Sequence, residues 1–274
     1  CHEMLAIFGA KVPHSHGLVP GGATVGPRSD LLNKFSAKLA QVRQFIETRL
    51  LPDTHLLADT YPDYFQIGKG PGNFMSFGGF PIGKNQYTIP PGVIMHGKKQ
   101  TLNTHQITET TKYSWLSKQQ TPAGISQSEG PKQPEPYRPG AYTWIEAPRY
   151  AGESMEVGPL ARAVINGENL ASSTMDRVIA RSYEANLISR LMSQWLSEIE
   201  PGKLPYRPPG EQVAHQAFST LEVPRGSLLH GIQVESNRVA HYQIITPSQW
   251  NFSPRDDLGK LGPVEQCLID IPVE

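Results

Sequence analysis

The sequence predicts an α+β fold that is mainly α-helical. Two long stretches, 29–50 and 173–199, repeat apolar residues every three or four positions, which is the period of an amphipathic helix. Most of the chain between them is rich in Gly, Pro and Tyr, and it predicts only short strands and turns. A chain of 274 residues is also long enough to bury a sizeable core.

The first two helices are predicted from their apolar faces and their end signals. Residues 1–8 carry four apolar side chains on one helical face before Gly9 interrupts the pattern. Ser29 or Asp30 caps the next helix at its start. We expect that helix to end at Pro52, because proline cannot donate the hydrogen bond that extends a helix.

The remaining elements follow in chain order. Short strands are predicted over 86–89 and 93–95. The helix over 173–199 would be about 40 Å long, the width of a whole domain. Residues 228–234 and 239–246 then predict a β-hairpin.

Composition excludes several classes of protein. The chain has 25 Lys and Arg against 25 Asp and Glu, and zero net charge argues against a nucleic-acid partner. No uninterrupted apolar run reaches the roughly 18 residues of a transmembrane segment. Two cysteines are too few for a disulfide-stapled small protein or a four-cysteine zinc site.

We interpret residues 1–274 as one domain and as a piece of a longer polypeptide. The chain begins at Cys1 inside a helical pattern, so we expect upstream residues to complete that helix. Residues 118–140 are rich in Pro, Gly and Gln and predict an exposed connection.

The segment 222–226, with the sequence Glu-Val-Pro-Arg-Gly, has the clearest chemical meaning. Pro224 fixes the backbone next to Arg225, and Gly226 permits close approach of another chain segment. A guanidinium held rigidly in this way presents several donors to an anionic or π-acceptor ligand. Taken alone, the segment favours a turn that carries a surface arginine, and only the neighbouring segments change that interpretation. The Gly-rich segment 68–72 is interpreted as a turn, because it lacks the Gly-Lys-Ser/Thr ending of a phosphate loop.

Eight segments, taken in order, resemble the large subunit of nickel–iron hydrogenases. They extend over the chain from one end to the other, and it is their order that makes the resemblance specific. The segments are 2–14, 21–22, 68–78, 148–150, 156–162, 177–184, 222–226 and 250–256.

The resemblance implies a nickel–iron centre with cyanide and carbon monoxide on the iron, a magnesium ion, and a small partner subunit that carries iron–sulfur clusters. It implies an enzyme that cleaves or forms H₂ heterolytically and passes electrons to that partner. It also implies long antiparallel helices around a buried metal site, with small peripheral β-sheets. The source would be bacterial or archaeal, and the protein would be periplasmic or membrane-associated through its partner.

Matching positions assign roles around the turn. Arg225 would lie over the metals, where it donates to a cyanide and helps to polarise H₂ or accept its proton, with Pro224 beside it. Preorganisation in a dry pocket would have to supply the effect, since arginine is a poor base. Leu228 would line the carbon monoxide pocket. Val223 stands where the family usually has alanine, which adds bulk beside the arginine.

Three further positions match the family. Pro247 and Ser248 would hold the other cyanide, with the serine hydroxyl as donor. The backbone carbonyl of Ile244 would bind magnesium, a hard cation that favours oxygen ligands.

The nickel ligands leave alternatives open. The family takes them from two Cys-x-x-Cys motifs, whereas this chain has only Cys1 and Cys267, neither in such a motif. The resemblance implies that one motif lies upstream of Cys1 and the other beyond Glu274. Residues 1–274 would then be the central part of a large subunit, truncated at both ends, and the chain alone would be inactive. The alternatives are a metal-free scaffold or docking homologue, and one piece of a split subunit without catalysis of its own.

Overall fold

The computed structural model describes residues 1–84, 86–116, 132–208, 210 and 215–272. It is a mixed α/β structure with several helices and small sheets, which confirms the predicted α+β class. The helices are α1 (His2–Gly9), α2 (Ser29–Phe45), α3 (Leu51–Thr60), α4 (Pro159–Ile165), α5 (Thr174–Glu198), α6 (Pro247–Asn251) and α7 (Pro263–Cys267). Among the described residues, no helix combines the length and the apolar character needed to span a bilayer.

The strands are short except in one sheet. They are β1 (Leu18–Val19), β2 (Gly22–Ala23), β3 (Phe74–Ser76), β4 (Gly79–Gly83), β5 (Gln86–Ile89), β6 (Gly92–Met95), β7 (Lys98–Gln100), β8 (Ile107–Thr110), β9 (Ala147–Tyr150), β10 (Gln216–Val223), β11 (Gly226–Glu235) and β12 (Arg238–Ile245). The strands predicted over 86–89 and 93–95 are confirmed as β5 and β6. Of the connection predicted over 118–140, residues 118–131 lie outside the described residues, and most of 132–140 is exposed.

The chain divides into two compact units, Cys1–Thr60 with Arg181–Val213, and Tyr61–Ala180 with Ala214–Glu274. The interpretation as one domain stays a prediction. In the first unit α5 runs antiparallel to α2 and α3. Arg43 donates to the Ser193 hydroxyl at 3.2 Å, whereas the hydroxyls of Thr54 and Ser182 are 2.6 Å apart. Residue numbers therefore rise along α2 and α3 while they fall along the facing part of α5.

The prediction that the second helix ends at Pro52 is wrong. A π-helical turn, Ile46–Leu50, follows α2, and the helix continues as α3 to Thr60. The backbone N–H of Leu51 donates to the carbonyl of Ile46, five residues earlier. The hydrogen-bond register has already shifted at this point, so the missing N–H of Pro52 falls where the regular ladder is interrupted.

The second unit is built from small antiparallel sheets. Strands β10, β11 and β12 form one three-stranded sheet, and β3, β6 and β7 form another. Two-stranded pairs are β4 with β5 and β8 with β9. The main hydrophobic core of this unit consists of Met75, Phe77, Val93, Ile107, Tyr150, Met155, Val157, Leu229, Ile245 and Trp250.

The predicted hairpin over 228–234 and 239–246 is confirmed as β11 and β12. Its turn residues, Ser236 and Asn237, have φ values of 49° and 59°. Positive φ at both central positions is the geometry of the two-residue turns whose twist matches the strands of a hairpin. The turn therefore fixes the pairs next to it, Glu235–Arg238 and Val234–Val239, and an irregularity at Gln233/Val234 shifts the pairing by one residue beyond them.

Candidate active site

One end of the sheet β10–β11–β12 collects the residues that the resemblance assigns to the site. Val223 pairs with Gly226, so Pro224 and Arg225 form the two-residue turn between β10 and β11. Leu229 pairs with Ile245, which places the end of β12 and the start of α6 beside that turn. The predicted residues brought to this end are Pro224, Arg225, Leu228, Ile244, Pro247 and Ser248.

The two faces of the sheet differ in burial. Leu229 and Ile245 are 1% and 0% exposed and belong to the core. Their neighbours Leu228 and Ile244 point to the opposite face, where Leu228 is half-buried and Ile244 is exposed. This alternation separates a structural face from the face that carries the predicted site.

Accessibility also differs at the ends of the strands. Pro224, Arg225 and Ser248 are exposed, whereas Pro247 is buried at the start of α6. Thr246 caps that helix, since its hydroxyl accepts from the backbone N–H of Gln249 at 3.1 Å. Every predicted residue except Pro247 thus has an accessible or half-accessible side chain.

The backbone of the turn is held by Arg162 of α4. Its Nη1 donates to the carbonyl of Val223 and its Nη2 to the carbonyl of Pro224, both at 3.0 Å. The same Nη1 lies 2.7 Å from Oε2 of Glu222. Both side chains of this ion pair are nearly inaccessible, at 5% and 4%. Both residues lie in segments that match the family, but the sequence predicted no role for either of them.

Glu222 uses its second oxygen as well. Oε1 accepts from the backbone N–H of Phe77 at 2.8 Å and also from the Ser227 hydroxyl. Both carboxylate oxygens therefore have partners, as a buried charge requires. The carboxylate links Arg162 to the strand that leaves the turn.

Two glycines allow the turn to lie against a neighbouring segment. Gly226 has φ 132°, and a β-carbon there would be 2.6 Å from Cγ2 of Val157. A β-carbon on Gly158 would be 2.9 Å from the carbonyl oxygen of Arg225. The sequence predicted the close approach at Gly226, but the segment that approaches it, Val157–Gly158, was not foreseen.

The side chain of Arg225 contrasts with its backbone. It is exposed, and no other described residue forms a hydrogen bond or ion pair with its guanidinium. Arg162 thus fixes the backbone of the turn, while the Arg225 guanidinium is exposed and can bind another group. A planar cation in this position can donate several hydrogen bonds to an anionic or π-acceptor group.

A buried carboxyl, Glu109, lies behind the same end of the sheet. Its Oε1 accepts from Nε2 of Gln249 at 2.6 Å, and its Oε2 accepts from Nε2 of Gln243. Burial raises the pKa of Glu109 to about 7; the charge of Glu146 also raises it, whereas Lys132 and the two glutamines lower it. Burial thus favours the protonated form of this carboxyl.

The two glutamines connect Glu109 with the predicted site, because Gln243 precedes Ile244 and Gln249 follows Ser248. Sequence reasoning missed this carboxyl. Its only local signal is that Glu109 follows Ile107, also buried, at the two-residue spacing of one strand face.

A second buried cluster joins three of the matched segments. Arg177 binds Glu156 through two contacts, Nε–Oε1 at 2.7 Å and Nη2–Oε2 at 2.9 Å. Its Nη1 donates to the carbonyl of Gly68 at 2.6 Å. A β-carbon on Gly70 would lie 2.8 Å from both Arg177 and Glu156. The Gly-rich segment is therefore a turn around an ion pair.

The described residues offer no ligand set for a metal of their own. Over the described ranges, no three His, Cys, Asp or Glu side chains come together as a possible metal site. Cys1 is exposed, and Cys267 is half-buried with its Sγ 3.1 Å from Nη2 of Arg177. The residues at the end of the sheet fit the surroundings of a metal centre: an open guanidinium, a hydroxyl and a leucine.

Comparison with known proteins identifies the family. The sequence pattern of the family described as nickel-dependent hydrogenase matches residues 1–171 and 166–274. The periplasmic [NiFeSe] hydrogenase large subunit of Desulfomicrobium baculatum is 33% identical over all of this chain and 58% of the relative. The uptake hydrogenase large subunit of Bradyrhizobium diazoefficiens is 26% identical over 97% of this chain and 56% of the relative.

Solved structures agree. The reduced, active Ni-Fe-Se hydrogenase of Desulfomicrobium baculatum matches with a TM-score of 0.92 and 33% identity, over 100% of this chain and 61% of that one. The reduced Ni-Fe-Se hydrogenase of D. vulgaris Hildenborough matches with a TM-score of 0.93 and 35% identity, over 100% and 62%. The chain spans about three fifths of the length of these relatives. With the whole chain matched in sequence and in fold, this protein belongs to the nickel-dependent hydrogenase family.

Proposed function

We propose that this chain is part of the catalytic large subunit of a nickel–iron hydrogenase. The complete enzyme would cleave or form H₂ heterolytically and pass electrons to an iron–sulfur small subunit. The observation that carries the proposal is the turn Pro224–Arg225, whose backbone Arg162 fixes while the guanidinium stays open. A turn built in this way suits a donor that must keep its position while a bound group reacts.

The nickel–iron centre, with cyanide and carbon monoxide on the iron, would supply the splitting of H₂ when bound. Arg225 would donate to one cyanide and hold a proton at its guanidinium, with Pro224 limiting its movement. Leu228 would present an apolar wall to the carbon monoxide, which accepts hydrogen bonds poorly. Fixed donors cost no reorganisation during the reaction, which is why a rigid turn is useful here.

The other side of the site would come from the end of β12 and the start of α6. The Ser248 hydroxyl would donate to the second cyanide, with Pro247 packed beside it. The carbonyl oxygen of Ile244 would bind magnesium, in keeping with the preference of that cation for oxygen. The remaining metal ligands would come from residues outside this stretch.

We further propose that the enzyme acts in the periplasm, or at the membrane through its partner, in a bacterium or archaeon. The support is the relative from Desulfomicrobium baculatum, which is named as a periplasmic large subunit. The electrons would leave through the iron–sulfur clusters of the small subunit.

The test uses the natural full-length gene, expressed with its partner and maturation proteins. Arg225→Lys should lower H₂ turnover at least tenfold, about 1.4 kcal/mol of barrier, because lysine lacks the planar set of donors. Arg238→Lys is the control, since Arg238 is exposed at the opposite end of the same sheet. A smaller loss at Arg225, in an enzyme with full nickel content, would overturn the assigned role.

The alternatives are a metal-free scaffold and a piece of a split subunit. Their motivation is that the two cysteines of this chain, Cys1 and Cys267, do not lie in Cys-x-x-Cys motifs. Nickel analysis of the purified complex separates the hypotheses. A complex without nickel, from a gene without Cys-x-x-Cys motifs, would establish the scaffold.

A further inference from the structure

We propose that Arg162 and Glu222 are positioning residues, which set the direction of the Arg225 guanidinium without contacting the ligand themselves. This inference rests on the proposed function. Both residues are nearly inaccessible and lie behind the turn, whereas the Arg225 side chain is exposed.

The contacts of Arg162 determine most of the backbone before Arg225. The proline ring fixes φ of Pro224. The hydrogen bonds from Arg162 to the carbonyls of Val223 and Pro224 orient the peptide groups on both sides of that proline. Few backbone torsions remain free before Arg225, so its Cα–Cβ bond leaves the turn in a fixed direction.

The backbone after Arg225 is restricted as well. Its carbonyl oxygen lies against Gly158, where an added β-carbon would be 2.9 Å away. Gly226 leaves no room for a side chain beside Val157. The backbone is therefore held before Arg225 by Arg162 and after it by the Val157–Gly158 segment.

Glu222 compensates the charge of the buried Arg162 guanidinium. Its Oε2 pairs with Arg162, and its Oε1 binds the backbone N–H of Phe77 and the Ser227 hydroxyl. A buried arginine without this carboxylate would be an uncompensated charge. Glu222 also connects the guanidinium to β11, so that the pair spans both strands of the turn.

The geometry separates Arg162 from lysine at this position. A guanidinium reaches the carboxylate and two carbonyls at once through its planar donors. Lysine would keep the charge pair with Glu222 but present a single ammonium in place of the fork. Arg162→Lys therefore loosens the turn while it preserves the buried charge balance.

The decisive measurement is a double-mutant cycle in the full-length enzyme with its partner. Arg162→Lys should lower kcat about tenfold, with a smaller change in KM for H₂. In the Arg225→Lys background the same substitution should lower kcat by less than about twofold, because its effect passes through Arg225. Equal losses in both backgrounds would show a general structural role and overturn the proposal.

A second measurement does not depend on activity. Hydrogen exchange of the backbone amides at 225–228 should accelerate in Arg162→Lys, and in Glu222→Gln, in the nickel-loaded complex. Arg149→Lys is the matched control, since that arginine is equally buried in the same unit and pairs with Asp256 instead. It should change exchange around Asp256 and leave the turn as in the wild type. Unchanged exchange at 225–228 in Arg162→Lys would overturn the positioning role.

The two proposals fail differently. A nickel-loaded wild-type complex that neither consumes nor forms H₂ would refute the proposed function. An active wild type with an unaltered kcat in Arg162→Lys would refute the positioning role alone.

Discussion

Arg149 and Asp256 form an ion pair inside the second unit, with 2.9 Å between Nε and Oδ2 and side chains that are 2% and 6% exposed. Burial lowers the pKa of the Arg149 guanidinium, and Asp256 counteracts this effect. The guanidinium donates to further oxygens nearby, which are those of Pro148, Ser253, Pro254 and Lys260. One side chain therefore ties β9 to the segment that follows α6.

Replacing Arg149 with methionine should be strongly destabilising. The change leaves the Asp256 carboxylate buried without its partner, which costs about 3–5 kcal/mol in comparable pairs. The free energy of unfolding, measured by denaturant titration of the complete subunit, reports the effect. Arg28→Met is the control, because Arg28 pairs with Asp30 at an exposed position and should change stability little. Similar losses in the two variants would contradict the prediction.

Glu109→Gln should change how stability depends on pH. Burial raises the pKa of Glu109 from 4.5 to about 7, so the folded state binds this proton more tightly than the unfolded state does. The contribution of Glu109 to the free energy of unfolding should therefore fall as pH rises from 4.5 to about 7, by about 1.4 kcal/mol for each pH unit. Above that range this contribution should stay constant.

The part of the fall that Glu109 causes should be absent in Glu109→Gln, so the quantity to measure is the difference in unfolding free energy between the two proteins as a function of pH. Glu135→Gln serves as control, since that side chain is 48% exposed. Parallel pH profiles for wild type and Glu109→Gln would show that Glu109 titrates normally.

Gly70→Ala should disrupt the Arg177–Glu156 pair. The added β-carbon would lie 2.8 Å from atoms of both side chains, and overpacking of this kind costs about 1–3 kcal/mol. Gly26→Ala is the matched control, because nothing lies within 4 Å of its β-carbon. Thermal unfolding of the two variants should show a clear loss for Gly70 alone. Equal midpoints would mean that the turn moves to accept the methyl group.

Local pattern was sufficient for α5 and for the hairpin β11–β12. The apolar period predicted α5 within one residue at each end, and alternation predicted the hairpin β11–β12. The error at Pro52 has a physical cause. Rules for helix ends assume an unbroken α-helical register, and the π-helical turn before Pro52 changes that register.

The turn at Arg225 could be predicted because its signal is local: a proline before the arginine and a glycine after it. Its support could not be predicted, since Arg162 lies 60 residues from Glu222 in sequence. The same holds for Glu109, whose partner Gln249 is 140 residues away. Hydrogen bonds between distant segments leave no periodic signal in the chain, and only the fold reveals them.

Adjacent residues along β11 and β12 point to opposite faces of the sheet. Leu229 and Ile245 fill the core, while Leu228 and Ile244 point the other way. A slip of one residue in strand pairing would turn the core side chains outward and the outward side chains into the interior. A hairpin with shifted pairing would lose the burial of its core residues and would be less stable. Packing of the core therefore also selects the register that places the predicted site residues.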